Sequence, residues 1–586
     1  MTGKGPPARA GRGADGAGGA GDARGAAGRR AGRLRETAAE VFGWKELRPG
    51  QLTAMEWVLE GRDCLVVMPT GSGKSAVYQV PALLLAGPVV VVSPLLALQR
   101  DQIAGLPGGE RGPGAVAVNS DLGAAGTEDA WAAVREGSVR YVYLSPEQLA
   151  KDDVVQRLAE ARPALFVVDE AQCVSSWGHD FRPDYLRLAQ AVRGLGRPPV
   201  LALTATAAPP VRQDIVERLG MDRPRQLVTG FDRPNIRLDV RRHLDDDERR
   251  SRVVEDAAAA PKPGIVYAAT RKDSESYAAQ LASLGFAAGA YHAGLRAAER
   301  RRTHEAFLSG DLDVVAATSA FGMGIDKENV RFVLHASLPG SLDAYYQEIG
   351  RCGRDGRPAL AVLHYRAEDT GMQAYFTSRT PRPEAVDAVV RAVHAHRDAP
   401  PDVAGLRRDT DLSRARVTAA VNLLEEAGAL VTDASGAIRP VRGTTPSRAV
   451  RRAVDTAEAH KRMDRSRVDM ARAYAETTGC RRRFLLGYFG EEYEAPCGNC
   501  DTCDQPESGD GDATGTQRHP DAGAYPPGAA VRHGEWGGGT VLSEEGDRIT
   551  VLFDEVGYRT LSLDALAARD DLLTVVSGPD GSEAEP

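Results

Sequence analysis

Gly71 and Gly73, followed directly by Lys74 and Ser75, could close backbone N–H groups around phosphate oxygens, set an ammonium on the outer phosphates and offer a hydroxyl to Mg2+. The full run is Met68-Pro69-Thr70-Gly71-Ser72-Gly73-Lys74-Ser75, with Met68 where the strict phosphate-loop pattern has its first glycine. Asp169 and Glu170 supply the acidic half of the same chemistry: Asp169 to bind the metal, Glu170 to orient or deprotonate an attacking water. Positive charge for a phosphoryl-transfer transition state comes from Gln347-Glu348-Ile349-Gly350-Arg351-Cys352-Gly353-Arg354-Asp355-Gly356, where Arg354 reads as an arginine finger with Arg351 beside it. Taken singly, an acidic pair on a solvated surface and arginines paired with surface acids are the plainer readings. The apolar run ALFVV leading straight into Asp169 argues for the carboxyl edge of a parallel sheet, where ligands bind.

A second chemistry stands near the C-terminus. Cys480 is followed by sixteen residues and then by Cys497-Gly-Asn-Cys500-Asp-Thr-Cys503, a spacing that lets four thiolates wrap one tetrahedral Zn2+. A closed four-thiolate site leaves no position for catalysis, so this zinc is expected to be structural. Cys64, Cys173 and Cys352 are scattered singly, which suits a reducing compartment without disulfides.

These residues need elements to position them. With 586 residues the chain is expected to form several domains, each of about 100 to 200 residues. From 36 to 232 short apolar runs (CLVVM, VVVVS, VRYVYLS, VLALTAT) alternate with helical stretches, and a second such set (GIVYAAT, DVVAATS, FVLHASL) fills 233 to 375: two tandem parallel α/β units with a nucleotide cleft between them. Residues 1–35, mostly Gly, Ala and Arg, read as a disordered tail. Val80–Leu98 carries no charge, but Gly87-Pro88 and Ser93-Pro94 interrupt it, so it reads as a helix end and a buried strand rather than a membrane span. No hydrophobic leader stands at the N-terminus, and a cytoplasmic protein is expected. The net charge of 73 − 81 = −8 excludes a globally basic nucleic-acid binder and leaves only a local groove.

Motif by motif, the chain resembles RecQ-family helicases of superfamily 2 over residues 36–375 and again at 480–503. The motifs are FGWKELRPGQ, MPTGSGKS, SPLLALQRDQ, DEAQ, LALTATA, YHAGL, SAFGMGID and QEIGRCGRDG, with CRRRFLLGYFGE and CGNCDTC at the zinc segment. The resemblance implies two RecA-like domains. It also implies that Arg48 and Gln51 recognise adenine; that Thr70, Gly71, Ser72, Gly73, Lys74, Ser75 and Asp326 bind ATP; and that Ser75 and Asp169 hold Mg2+. Lys74, Asp169, Glu170, Gln172, Arg351 and Arg354 would carry hydrolysis. Directly after the acidic pair, CVSSWGHDFRP resembles the family's aromatic-rich loop, with Trp177 and Phe181 to stack on DNA bases and Arg182 at the phosphate; core packing of Trp177 is the alternative. Gln172 departs from the family's usual His. It keeps a donor and an acceptor but cannot titrate near neutrality, so coupling should persist without a histidine-dependent pH response. The implied activity is ATP-dependent 3′-to-5′ unwinding of forked or branched DNA in repair and recombination. The alternatives are a DNA translocase or RNA helicase of the same superfamily, or a non-catalytic DNA-binding adaptor, which intact Lys74, Asp169, Glu170 and Arg354 oppose.

In the family pattern a winged helix follows the zinc segment; here a winged-helix-like pattern precedes it, at 383–442. Ser413 caps a helix with Val417, Val421 and Leu424 on one face, Gly428 ends it, and LVTDASGAIRPV turns as a hairpin at Ser435-Gly436, a plain three-helix connector being the alternative. The zinc module is placed at 443–504 and a linker at 505–527. A small SH3- or Tudor-like β-barrel follows at 528–577, then a disordered end at 578–586. Core candidates in the barrel are Val541, Ile549, Val551, Phe553 and Leu561. Its segments VRHGEWGGGTV and ITVLFDEVGYRTL resemble the C-terminal domain of UvrD/PcrA-type helicases, which implies RNA polymerase as a partner. Local acids (Glu544, Glu545, Asp547, Asp554, Glu555) oppose DNA there, so a protein-docking module tethered without effect on catalysis is expected; a barrel packing on the motor or touching DNA is the alternative.

Overall fold

The structure is a computed structural model that describes residues 18–94, 96–107, 114–119, 123–175, 185, 187–322, 325, 327–371, 373, 381–396, 399–433, 436–504, 523–545, 547–569 and 572–578. The first unit is a seven-stranded sheet in the order β3-β4-β2-β5-β6-β1-β7, where β1 is Cys64–Val67, β2 Val89–Val92, β3 Ala115–Val118, β4 Tyr141–Leu144, β5 Leu165–Val168, β6 Val200–Thr204 and β7 Arg225–Val228. Every pairing is parallel. The central strands are unbroken Val/Leu runs because both faces are covered: along β5, Phe166 and Val168 enter one core and Leu165 and Val167 the other. The second unit is a six-stranded parallel sheet in the order β10-β11-β9-β12-β13-β8. Its strands are β8 Ile236–Arg242, β9 Gly264–Tyr267, β10 Ala288–Tyr291, β11 Val314–Ala317, β12 Phe332–His335 and β13 Ala359–Tyr365.

The N-terminal segment corrects one expectation. Residues 18–35, read as part of a disordered tail, belong to a helix spanning Gly18–Phe42. Leu34 and Ala38, one turn apart and so on one face, are fully buried against Met55, Ala76 and Val80, and Arg30 pairs with Glu60 at 2.7 Å. Composition missed this because two well-placed side chains, not the average, fasten the helix. Residues 1–17 lie outside the described set.

Between the second unit and the zinc segment, helices Pro383–Ala395, Val403–Thr410 and Arg414–Glu426 pack around Val386, Val389, Leu406, Val417, Val421 and Leu424. The Ser413 hydroxyl accepts from Arg416 N at 3.4 Å, and Gly428 adopts φ 62° just after the last helix. Strands β14 (Leu430–Thr432) and β15 (Ile438–Pro440) form an antiparallel hairpin, which a plain three-helix connector would lack; Ser435 lies outside the described residues. A 31-residue helix, Pro446–Glu476, then leads to helix Arg481–Tyr488 and the cysteines.

At the C-terminus, β16 (Ala530–His533), β17 (Gly537–Glu545), β18 (Arg548–Phe553), β19 (Gly557–Ser562) and β20 (Leu573–Ser577) form an antiparallel sheet in the order β19-β18-β17-β16-β20. The short helix Leu563–Ala567 separates β19 from β20, and its Leu563 and Leu566 complete the core of the small antiparallel β-domain expected here. Val541, Ile549, Val551 and Phe553 are fully buried; Leu561 is only half-buried. Nor is this domain held by a linker alone: its outer face packs on Pro446–Glu476 and Arg481–Tyr488. No described helix is long and apolar enough to cross a membrane.

Candidate active site and metal centre

The phosphate loop leaves β1 at the carboxyl edge, and its stem is fixed by Met68 N donating to Thr204 O at 3.1 Å. Lys74 Nζ donates to the Met68 carbonyl at 3.2 Å while the Met68 side chain is buried in the core. A backbone carbonyl is all this position must supply, which explains why glycine is dispensable there. Gly71 (φ 81°) and Gly73 (φ 76°) adopt left-handed conformations that disfavour side chains. A Cβ on Gly71 would lie 3.1 Å from Cγ of Arg354, and one on Gly73 would lie 2.8 Å from Nε2 of Gln51. The cradle is therefore shaped by backbone alone, as a phosphate chain requires.

Gln51 Nε2 donates to Ser72 O (3.0 Å) and Gly73 O (2.9 Å), Gln51 Oε1 accepts from Arg48 N (2.8 Å), and the Arg48 guanidinium donates to Gly71 O. The two residues assigned to adenine thus brace the loop carbonyls in this structure; the peptide oxygens of a tight turn point outward toward the nearest donors. Ser75 immediately precedes helix Ala76–Ala82, and Thr70 meets the second unit through Gly350, whose Cβ would stand 3.3 Å from Thr70 Cβ.

Beyond β5, Asp169 and Glu170 face Lys74. Burial, then Glu170, pushes the Asp169 carboxyl up to about 6, while Gln102 Nε2 (2.8 Å to Oδ2) and Glu170 N (3.0 Å to Oδ1) favour its ionised form. Burial likewise lowers the Lys74 pKa, and Glu170 and Asp169 raise it. A buried carboxylate (Asp169) and a half-buried one (Glu170) with one ammonium form a site whose charge a divalent cation would complete, which fits Mg2+ at Asp169 and Ser75. Glu170 itself holds φ 49°, ψ 51°, a left-handed conformation for a non-glycine residue beside Asp169. Gln172, buried, donates Nε2 to Glu170 Oε2 at 2.9 Å and accepts at Oε1 from the Thr204 hydroxyl at 2.6 Å; Thr206 N donates to Thr204 Oγ1 at 3.1 Å, and Gln347 Nε2 of the second unit donates to Thr206 Oγ1 at 3.2 Å. A hydrogen-bonded path therefore runs from the acidic pair across the cleft.

On the far side the two arginines separate. Arg354 lies over Gly71, whereas Arg351 is buried beside Gly322 and Tyr267, lining a cavity of about 990 Å³ in the second unit with Thr270, Thr318, His335 and Glu348. Sequence reading missed Arg233, whose guanidinium donates to Thr70 O and Gly350 O (both 3.3 Å) and to Cys352 O (3.1 Å) and Gly353 O (3.0 Å), clamping the segment around Arg351 and Arg354 against the loop. Nothing in an arginine between Asp and Pro announces that. Gln102 was within a quoted motif, but only the fold brings it to Asp169. Trp177, Phe181, Arg182 and Asp326 lie outside the described residues. The stems of the aromatic loop are anchored, with Ser175 Oγ donating to Asp214 at 2.6 Å and Tyr185 fully buried.

The four cysteine sulfurs lie within 4.8 Å of one another, with Cys497 and Cys503 Sγ 3.9 Å apart. A tetrahedron with Zn–S of about 2.3 Å has edges of about 3.8 Å, so the set fits one zinc. The knuckle lies on the edge strand β8: Leu238 N donates to Asn499 O (3.3 Å) and Asp501 N to Leu238 O (3.2 Å). Arg481 clasps Asp501 (3.0 and 3.1 Å), and Arg482 bonds Asp232 and Ile236 O (2.7 Å).

Residues 48–215 match the DEAD/DEAH box helicase family, 251–356 the helicase conserved C-terminal domain, 445–504 the RecQ zinc-binding family, and 526–567 a family described as a protein of unknown function (DUF3553). The "Probable ATP-dependent DNA helicase RecS" of Bacillus subtilis (strain 168) is 35% identical over 475 residues, 80% of this chain and 91% of the relative. The "ATP-dependent DNA helicase RecQ" of Haemophilus influenzae is 35% identical over 472 residues, 80% of this chain but 64% of the relative. The protein of the same description from Bacillus subtilis is 38% identical over 356 residues, 60% of this chain and 59% of the relative.

Proposed function

The chain belongs to the RecQ family of superfamily 2 DNA helicases, and from that premise we propose that it couples ATP hydrolysis to 3′-to-5′ movement on single-stranded DNA, opening forked or branched duplexes in repair and recombination. The observation that carries the reading is Arg354 of the second unit lying over Gly71 of the phosphate loop. Hydrolysis then depends on how the two units meet, which is what a translocating motor needs.

Bound ATP with Mg2+ supplies the phosphoryl group and its charge neutralisation. The loop amides and Lys74 would hold the phosphates, Asp169 and Ser75 would hold the metal, and Glu170 would orient and accept a proton from the attacking water. Arg354 stabilises charge that develops in the transition state, and Arg233 keeps it in register with Thr70. Gln172 links Glu170 through Thr204 and Thr206 to Gln347, so a shift of the second unit reaches the water-orienting carboxylate.

Trp177, Phe181 and Arg182 form the single-strand platform in this reading, a few residues from Glu170. RNA polymerase is the proposed partner of the C-terminal sheet, on the strength of the resemblance to UvrD/PcrA-type helicases. A reducing, cytoplasmic setting belongs to the same reading, because four thiolates must stay reduced to hold zinc. The test is one preparation assayed for ATP hydrolysis with and without single-stranded DNA and for unwinding of forks with 3′ or 5′ tails. Stimulated hydrolysis with opening of 3′-tailed forks is expected, and Trp177→Ala should reduce the stimulation. Hydrolysis indifferent to DNA, or 5′-tail preference, would overturn it. Recovery of RNA polymerase with the full-length protein tests the partner; its absence removes that part alone.

A further inference from the structure

The helix that leads into the arginine finger, Leu342–Ile349, is held at its N-terminal end by groups from two other domains. Ser341 caps it, its hydroxyl accepting from Ala344 N at 3.1 Å. Asp343, in the first turn, is 5% exposed. Its carboxylate accepts a hydrogen bond from the Tyr488 hydroxyl of the zinc module at 2.5 Å, and the Tyr488 and Tyr558 hydroxyl oxygens lie 2.9 Å apart. A phenol carries one hydrogen. With that of Tyr488 committed to the carboxylate, that of Tyr558 closes the second bond, so a residue of the C-terminal sheet completes the solvation of a buried charge on the finger helix.

The contact is built rather than incidental. Tyr488 and Tyr558 are buried and stacked, with centroids 5.1 Å apart and planes at 24°. Gly557, next to Tyr558, has φ 76°, and a Cβ there would lie 2.2 Å from Ser466 Oγ on Pro446–Glu476, so the strand approaches that helix closer than any side chain permits. Arg462 Nε donates to Glu555 O at 2.9 Å. An aromatic path runs beside the hydrogen bonds: Tyr488 meets Phe489 (5.0 Å), Phe489 meets Tyr346 of the finger helix (4.9 Å), and the Tyr346 hydroxyl donates to Phe231 O at 2.7 Å. At the other end of the same helix Gly350 abuts Thr70, and Arg354 follows over Gly71.

We propose that the C-terminal sheet is a resident part of the motor, in which Tyr558 acts through Tyr488 on Asp343 as a positioning residue for the arginine-finger helix. This rests on the reading of Arg354 above and replaces the expectation of a tethered module without effect on catalysis.

The test uses the full-length, zinc-loaded protein with Tyr558→Phe, which removes one hydroxyl and keeps the ring, and Gly557→Ala, which forces the strand off Ser466. DNA-stimulated kcat should fall roughly 2- to 10-fold in Tyr558→Phe, the scale of one lost buried hydrogen bond, at unchanged KM for ATP, with Gly557→Ala at least as impaired. Hydrogen exchange of 342–349 should quicken in both variants while β16 to β18 exchange as in wild type. Unchanged kcat and unchanged exchange at 342–349 would overturn the proposal. So would a kcat loss accompanied by raised KM or by fast exchange throughout the C-terminal sheet, which would mean general unfolding. Wild type without hydrolysis would overturn the motor reading instead, and the exchange measurement would still decide whether Tyr558 holds the helix.

Discussion

The side-chain amide of Gln172 donates to the carboxylate of Glu170 at 2.9 Å, from a position where it is almost wholly buried. The same side chain accepts from Thr204 at 2.6 Å. A residue that both donates and accepts without titrating is therefore wired between Glu170 and the segment that contacts the second unit.

Gln172→Ala should lower DNA-stimulated kcat by roughly 10- to 100-fold, because the Glu170 carboxylate loses its donor and the link to Thr204 is cut, while the Thr204 hydroxyl keeps Thr206 O at 2.9 Å as a partner; a hydrogen bond to a charged group is worth about 1.5 to 3 kcal/mol. Steady-state kinetics with a melting curve check it; wild-type turnover in a stable variant would remove Gln172 from the path.

Glu170→Gln should bind ATP and DNA as wild type does but lose roughly 10²- to 10⁴-fold in turnover, the usual contribution of a positioned acid–base group. Equilibrium binding alongside single-turnover hydrolysis separates the two effects. Retained hydrolysis would assign the water to another residue.

Elemental analysis should find one zinc per chain, and Cys500→Ser or exhaustive chelation should lower thermal stability. Since Leu238 of β8 is hydrogen-bonded to the segment around Cys500, hydrogen exchange in Ile236–Arg242 should quicken when the metal is lost. Zinc-free protein melting as wild type would refute the structural role.

Acid should weaken the second unit through a histidine pair. His364, fully buried on β13, lies 3.1 Å from His243, with Asp256 at 3.3 Å and Arg241, Arg249 and Arg252 nearby. Burial, then His243, holds His364 well below the ordinary imidazole value, and burial lowers His243 too. Both are neutral when folded, whereas the unfolded chain binds protons below about pH 6.5, so stability should be flat above neutrality and fall as pH drops from there toward the folded-state values. The loss is at most about 1.4 kcal/mol per pH unit for each histidine. Denaturant midpoints between pH 7.5 and 5.5 measure it, and His364→Gln should flatten the slope; an unchanged slope would acquit the pair.

Two parallel α/β units, the phosphate loop, the acidic pair and the four-cysteine set were legible in the sequence because each depends on local order. Unbroken apolar runs specify buried strands, glycine at 71 and 73 specifies the loop's backbone, and cysteines three residues apart specify a knuckle. What only the tertiary structure decided lies between segments far apart in the chain. The N-terminal helix exists because Leu34 and Ala38 find Met55, Ala76 and Val80. Arg351 and Arg354, three residues apart, face a cavity in the second unit and the phosphate loop respectively, because the chain turns sharply through Gly353 at φ 60°. Arg233 clamps carbonyls more than a hundred residues on, and Tyr558 meets Asp343 only through Tyr488. Periodicity and spacing report what a residue's neighbours in sequence demand; they carry no record of which distant carbonyl or carboxylate the packed fold will leave in need of a donor.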